Sequence, residues 1–308
     1  MRPADYEILY DLPAGEYDQT AVGGIRTRTT RAGDTLEVEC FPITRLTAGA
    51  RQALRQKKSS PAQAKLNRRN RARRIARLTD ENFTRQDWVL TGTYEYPARD
   101  IGMMSPAEAA AVMDANRCPW DMDRARRDVV NFIQRVRRAV KRAGGDPKEV
   151  KHLYVIEEGK AKLPGLPPRY HFHMVLHAPG LTRDQLSALW PFGFTRLDRL
   201  DLEHGGADRL SKYLTKQQSG GRCWGHSRNL REPRVTTSDR KVSRRRAALV
   251  ARDVLRNGRQ VMEALYPGYR CDELPVVTFS DFLPGAYIYA RLRRRAPAPP
   301  QLRGGSAK

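Results

Sequence analysis

Carboxylates are scarce in this chain. Its 308 residues carry 34 Asp and Glu against 57 Lys and Arg, a formal net charge of +23, and the basic excess runs through the chain rather than sitting in a tail. The natural partner is therefore a polyanion. Nucleic acid is the first candidate, because a basic face gains affinity by releasing the counterions condensed on phosphates. Cysteine is scarce too: Cys40, Cys118, Cys223 and Cys271 lie far apart with no C-x-x-C pair. That spacing excludes a zinc ribbon and a disulfide framework and leaves reduced, mostly buried thiols. No apolar run approaches the roughly 20 residues that span a bilayer, so no membrane partner is expected. The start MRPADYEILYDLPAGEY lacks the basic and apolar regions of a signal peptide, and a cytoplasmic protein is expected. A G-x-x-x-x-G-K-[ST] sequence is also missing, which excludes a P-loop in this chain.

Three segments emerge from the patterning. Residues 1–83 read as a β extension followed by a basic helical arm. In GGIRTRTTRAGDTLEVECFPI, alternating runs flank Ala32-Gly33-Asp34, a hairpin signal. The stretch RRNRARRIARLTDENF that follows is arginine-dense and helix-permissive. Residues 84–235 form the central domain. A strand is predicted over Asp87 to Tyr96, and Ser105-Pro106-Ala107-Glu108 sets out a cap, a first-turn proline and a capping-box glutamate. From Met122, Ala125, Val129, Phe132, Ile133, Val136 and Val140 recur at helical spacing until Gly144-Gly145.

HLYVIE and RYHFHMVLH read as further strands, FGFTRLDRLDL as another β segment, and TRDQLSALW and ADRLSKYLTKQ as helices. The crossovers are too few for a parallel sheet. The expected class is α+β, an antiparallel sheet backed by helices. Residues 236–308 read as a basic extension containing a helical stretch, a loop-rich segment YPGYRCDELPVVTFSDFLPGAYIYARLRRR, and a disordered tail APAPPQLRGGSAK.

The stretch RYHFHMVLH places two histidines inside an apolar run. Successive strand residues face opposite ways, so His171 and His173 share one face while Phe172, Met174 and Leu176 share the other. Two neutral imidazoles at that spacing suit one divalent ion, which recruits a carboxylate from a neighbouring strand. Glu157, at the end of the preceding strand, is the candidate; Glu158 is the alternative, because the pleat phase depends on register. His177 continues the face as a peripheral residue, and His152, His204 and His226 have no partner at ligand spacing.

Downstream, Tyr213 and Lys216 share a face if their segment is helical. A phenol beside a metal-bound phosphodiester can attack phosphorus as a phenolate when a cation screens the developing charge. Lys216 could be that cation.

Taken in order, these motifs resemble the rolling-circle replication initiators of the HUH endonuclease superfamily, single-tyrosine type. The strand motif corresponds to Val89-Leu90-Thr91-Gly92-Thr93-Tyr94, the histidine motif to His171-Phe172-His173, and the Y-x-x-K motif to Tyr213-Leu214-Thr215-Lys216. Gly92 stands where a bulkier residue is common.

The resemblance implies an RRM-like, split βαβ sheet, with His171, His173 and Glu157 holding Mg or Mn. It makes Tyr213 the nucleophile, joined to a 5′ phosphate after nicking one strand, and Lys216 a group that orients metal or phosphate. It also implies a single-stranded or hairpin DNA substrate at a replication origin, with a host helicase and polymerase as partners. Arg68, Arg69, Arg71, Arg73 and Arg74, with Arg244, Arg245 and Arg246, would bind phosphates without reading sequence. Trp88, Tyr94 and Trp224 are available for base stacking.

A related transposase or relaxase shares this chemistry, and a basic RRM-like protein that only binds nucleic acid is a further alternative. The facial triad of a non-haem iron oxygenase would also use two histidines and a carboxylate, but it leaves the charge, Tyr213 and Lys216 without a role.

Overall fold

The computed structural model describes residues 19–46, 61–95, 104–159, 169–202, 223–279 and 286–295. In chain order the described elements begin with β1 (Gln19–Ala32), β2 (Thr35–Leu46), α1 (Pro61–Asn82), β3 (Trp88–Thr93), α2 (Pro106–Ala115) and α3 (Met122–Arg142). They continue with β4 (Lys151–Glu158), β5 (Tyr170–His177), α4 (Arg183–Ala188), β6 (Thr195–Arg199), β7 (Trp224–His226) and β8 (Arg234–Ser238). The last are α5 (Arg244–Arg252), α6 (Val254–Leu265), β9 (Tyr269–Arg270), β10 (Val276–Phe279) and β11 (Ala286–Arg294). The class is α+β, with two antiparallel sheets backed by helices, consistent with an RRM-like fold. The chain divides into one unit of Asn67–Glu232 and another that joins Met1–Leu66 to Pro233–Lys308.

The Asn67–Glu232 unit is built on a sheet of order β6-β3-β5-β4-β7. Its helix-facing side follows from alternation along each strand: Leu90 from β3, Tyr154 and Ile156 from β4, Phe172, Met174 and Leu176 from β5 and Leu197 from β6 are all buried there. Against them α3 packs Ala125, Val129, Phe132, Ile133, Val136 and Val140, the stripe predicted from spacing. Asp121 caps that helix by accepting from Arg124 N at 2.6 Å, and Gly144, with φ +82°, ends it in the left-handed conformation glycine tolerates. The capping box on α2 forms as its sequence suggests, Ser105 and Glu108 satisfying each other's backbone amides.

Gly92 has a specific reason to be glycine. A Cβ there would lie 2.2 Å from Cε1 of Phe172, directly opposite on β5, so the Phe172 ring occupies the space a larger residue would need. That ring packs edge-on to Trp190 at 4.8 Å and against Phe132 at 5.9 Å. Trp190 in turn donates its indole N–H to Thr93 O at 2.9 Å, tying the aromatic cluster to β3.

The opposite side of the same sheet is covered over part of its extent by α1. Ile75 and Leu78 from α1, with Phe83 beyond it, pack on Leu153, Val155, Val175 and Leu200. The arginine-dense arm is thus a helix anchored by its apolar residues, with Arg69 and Arg74 exposed.

In the other unit, β1 and β2 form the expected hairpin, with Ala32 paired to Thr35 across Gly33-Asp34 and Gly33 at φ +53°. One correction concerns the segment from Tyr266, read from sequence as loop-rich. It contributes β9, β10 and β11, and β11 pairs with β2, so both chain ends share one sheet of path β10-β11-β2-β1-β8. Prolines and short strand lengths hid these strands, although Ile288, Ala290 and Leu292 do alternate toward the core they share with α5 and α6. The four cysteines are free thiols and buried, as expected.

Candidate metal centre

β5 carries the two histidines to the open end of the sheet face that α1 partly covers. Antiparallel register pairs His171 with Glu157 and His173 with Thr91. Glu157 Oε2 lies 3.2 Å from His171 Nε2 and 3.3 Å from His173 Nε2, and the imidazole rings stand edge to face at 5.1 Å. Three potential ligand atoms therefore converge on one point. Two ligands about 2.1 Å from an octahedral ion and at right angles to each other are about 3 Å apart, so the donor spacing fits a small divalent cation. Burial is graded: the His173 side chain is 8% exposed, Glu157 17% and His171 27%, which leaves His171 nearest to an incoming ligand. Glu158 pairs with Tyr170 and, by the pleat, lies on the other side of β4, so it does not join the cluster.

Thr91 supplies an outer contact that sequence reasoning missed. Its Oγ1 is 3.0 Å from His173 Nδ1. When Nε2 serves as a ligand, Nδ1 keeps its proton and donates it to Thr91, which fixes both tautomer and ring orientation. Only the strand register reveals this pairing, since Thr91 and His173 are distant in sequence.

The remaining histidines are engaged elsewhere. His177 Nδ1 lies 2.6 Å from Asp87 Oδ1, while the other oxygen of this buried carboxylate accepts from Thr84 N at 2.6 Å; the pair stands apart from the metal donors, as its peripheral assignment implied. His152 is buried on the helix side and its pKa is pushed down to about 4, chiefly by desolvation, with Arg137 and His226 adding to the effect. His226 stacks on Trp224 at 5.5 Å. His204 lies outside the described residues.

Tyr213 and Lys216 also lie outside the described residues, as does the helix predicted around them. Beyond them the described chain resumes at Cys223, whose carbonyl accepts from Ile156 N at 2.7 Å, one residue from Glu157. Of the predicted phosphate contacts, Arg69 is exposed, Arg71 hydrogen-bonds Cys223, Arg73 is half-buried and Arg74 pairs with Glu232 at 2.9 Å. The Arg68 side chain is outside the described set. Arg244, Arg245 and Arg246 are exposed in the first turn of α5. Like charge repels the positive end of the helix dipole there, by about 0.3–1 kcal/mol per residue, so folding gains nothing from that placement.

Two of the three suggested stacking aromatics are core residues. Trp88 is buried beneath Arg199, whose guanidinium carbon lies 3.5 Å from the ring centroid. Tyr94 is buried with its hydroxyl donated to Asp128 Oδ2 at 3.1 Å. Trp224 is half-buried on the metal side of the sheet edge.

An α+β unit whose antiparallel sheet directs two histidines and a glutamate to one point belongs, as a class, with proteins built to hold a divalent ion at a sheet surface. Residues 87–218, less than half of the chain, match a family model described as replication-associated protein ORF2, and this likeness supports a replication-initiator role. No curated protein and no solved structure matches the chain. No described helix is long and apolar enough to cross a membrane.

Proposed function

We propose that this protein is a metal-dependent, site-specific single-strand DNA endonuclease and strand transferase that nicks an origin to start rolling-circle replication. The observation that carries the reading is the convergence of Glu157, His171 and His173 within hydrogen-bond distance of one another at the open end of a sheet. Mg or Mn held there would supply Lewis-acid polarisation of the scissile phosphate.

Every other role falls to the chain. Glu157 and His173 are anchored in the sheet, His173 with Thr91 behind it, so the donors are held in place before the substrate arrives. Tyr213 provides the nucleophile: its phenolic oxygen forms a bond to phosphorus, the bond from phosphorus to the 3′ oxygen breaks, and the proton lost by the phenol is matched by one gained at the new 3′ hydroxyl. The product is a 5′-phosphotyrosine, which keeps the energy of the broken bond and can be reversed to rejoin ends. Lys216 orients the phosphate or screens its charge. Ten residues separate Tyr213 from Cys223, next to Glu157 on the sheet, and an extended chain of that length spans up to about 33–36 Å, so the sequence distance permits the approach. Arg69, Arg71 and Arg73 on α1 and the exposed Arg244–Arg246 turn hold phosphates, with a host helicase and polymerase completing replication.

The test is incubation with a library of single-stranded oligonucleotides plus Mn or Mg, followed by mapping of the covalent adduct. A protein–DNA adduct on Tyr213 is expected. Tyr213→Phe should abolish nicking and leave binding intact; nicking by that variant at the wild-type rate overturns the assignment. Binding without any metal-dependent adduct would instead mark a protein that only holds nucleic acid.

A further inference from the structure

On the metal side of the sheet, the edge strand ends in an aromatic ring left in water. Phe194, immediately before β6, is 71% exposed. Its neighbours fix where it faces. Thr195 bonds Ser187 on α4 at 2.6 Å and Leu197 is buried in the helix-side core, so by alternation Phe194 and Arg196 face the other way. The backbone beneath the ring is pinned: Thr93 donates to Phe194 O from its amide at 2.9 Å and from its hydroxyl at 3.2 Å. At Gly193 a Cβ would meet Glu95 N at 2.3 Å, which shows how closely the two strands approach. Phe192, two residues earlier, has a burial partner in Trp190 at 4.9 Å, so the exposure of Phe194 does not come from a lack of nearby core.

Thr93 is paired on its other side with His171. Phe194 is thus two strands from a metal donor, about 10 Å across a sheet with strands about 4.8 Å apart. Arg196, about 7 Å further along the same face, has a side chain 80% exposed with its Nε on Asp198 Oδ2 at 2.9 Å. An apolar planar ring, a cation one step away and a metal centre in the same plane match one ligand chemistry: an unpaired base, its phosphate, and the next phosphate at the metal.

We infer that Phe194 is a stacking platform for one nucleobase of the single strand, with Arg196 on the adjoining phosphate, and that it sets which nucleotide lies at the metal centre. The inference rests on the reading of this sheet face as a single-strand DNA site and adds a base subsite to it. The occupant is a base rather than an apolar protein surface because the ring stands alone among polar and charged neighbours in a chain of net charge +23. Stacking tolerates any base and depends on single-strandedness.

The test uses the full chain in EDTA and compares a thymidine oligomer of about a dozen nucleotides with an abasic oligomer of equal length, by fluorescence anisotropy. Wild type should prefer the thymidine oligomer. Phe194→Ala should lower that affinity about tenfold while leaving the abasic affinity unchanged, and Phe194→Trp should keep the preference. An unchanged preference in Phe194→Ala, an equal loss on both oligomers, or a wild-type protein that binds both alike overturns the inference. Neither metal nor nicking enters the measurement, so failure of the Tyr213 chemistry and failure of the base subsite are read separately.

Discussion

On one face of the five-stranded sheet, Phe172 fills the space above Gly92 and packs on Trp190 and Phe132; on the other, His171 and His173, its neighbours along the same strand, turn their Nε2 atoms toward Glu157. Packing on the first face leaves no room for a methyl group. On the second, α1 covers the half bearing Leu153 and Val175 and stops short of the donors. Alternation along β5 thus separates what holds the unit together from what it presents. The two faces should fail independently when altered.

Phe172→Ala should show the largest effect. Removing a fully buried ring costs about 3–5 kcal/mol, and the glycine opposite cannot move in to fill the cavity. Urea denaturation should report that loss, while Mn affinity measured on the folded fraction stays at the wild-type level. A large fall in metal affinity with stability preserved would show that the faces are not separate.

His152 sharpens the same contrast through pH. Its ring sits on the packed side, stacked on Tyr154 at 6.3 Å, and is held neutral by burial with a pKa of about 4. In the unfolded chain the value is about 6.5. The folded pKa is the lower one, so the stabilisation is complete above about pH 6.5 and is lost as the pH falls toward 4, by roughly 3 kcal/mol in all. His152→Phe should flatten the pH dependence of the urea midpoint across that window. A variant with the wild-type slope would assign the acid sensitivity to other groups.

How much of this was legible in the sequence differs between the two units. In Asn67–Glu232, each element declares itself locally: the α3 stripe, the Ser105 capping box and the alternation of β5 need no partner to be read. The His171, His173 and Glu157 trio was legible for the same reason, except that choosing Glu157 over Glu158 required the β4–β5 register. The other unit assembles from both chain ends, and no local pattern announces that β11 pairs with β2. Arginines on the outward positions of β11, Arg291 and Arg293, made a strand look like a basic loop. Trp88 and Tyr94 illustrate the reverse difficulty. Their residue types suit stacking on bases or packing in a core equally well, and only the pleat assigns them to the buried side.

Thr91 offers the finest test, because it lies behind the donors rather than among them. Its hydroxyl oxygen is the acceptor that holds His173 Nδ1–H, and valine keeps the shape while removing that acceptor. Thr91→Val should weaken Mn binding by about 10- to 100-fold with the melting temperature nearly unchanged, and Thr91→Ser should restore most of the affinity. Electron paramagnetic resonance titration of free Mn reads the effect directly, without substrate. Equal affinity in Thr91→Val would mean that the strand alone orients His173. If serine fails along with valine, Thr91 acts by filling space, and the division between a packing face and a chemical face would have to be redrawn one residue closer to the metal.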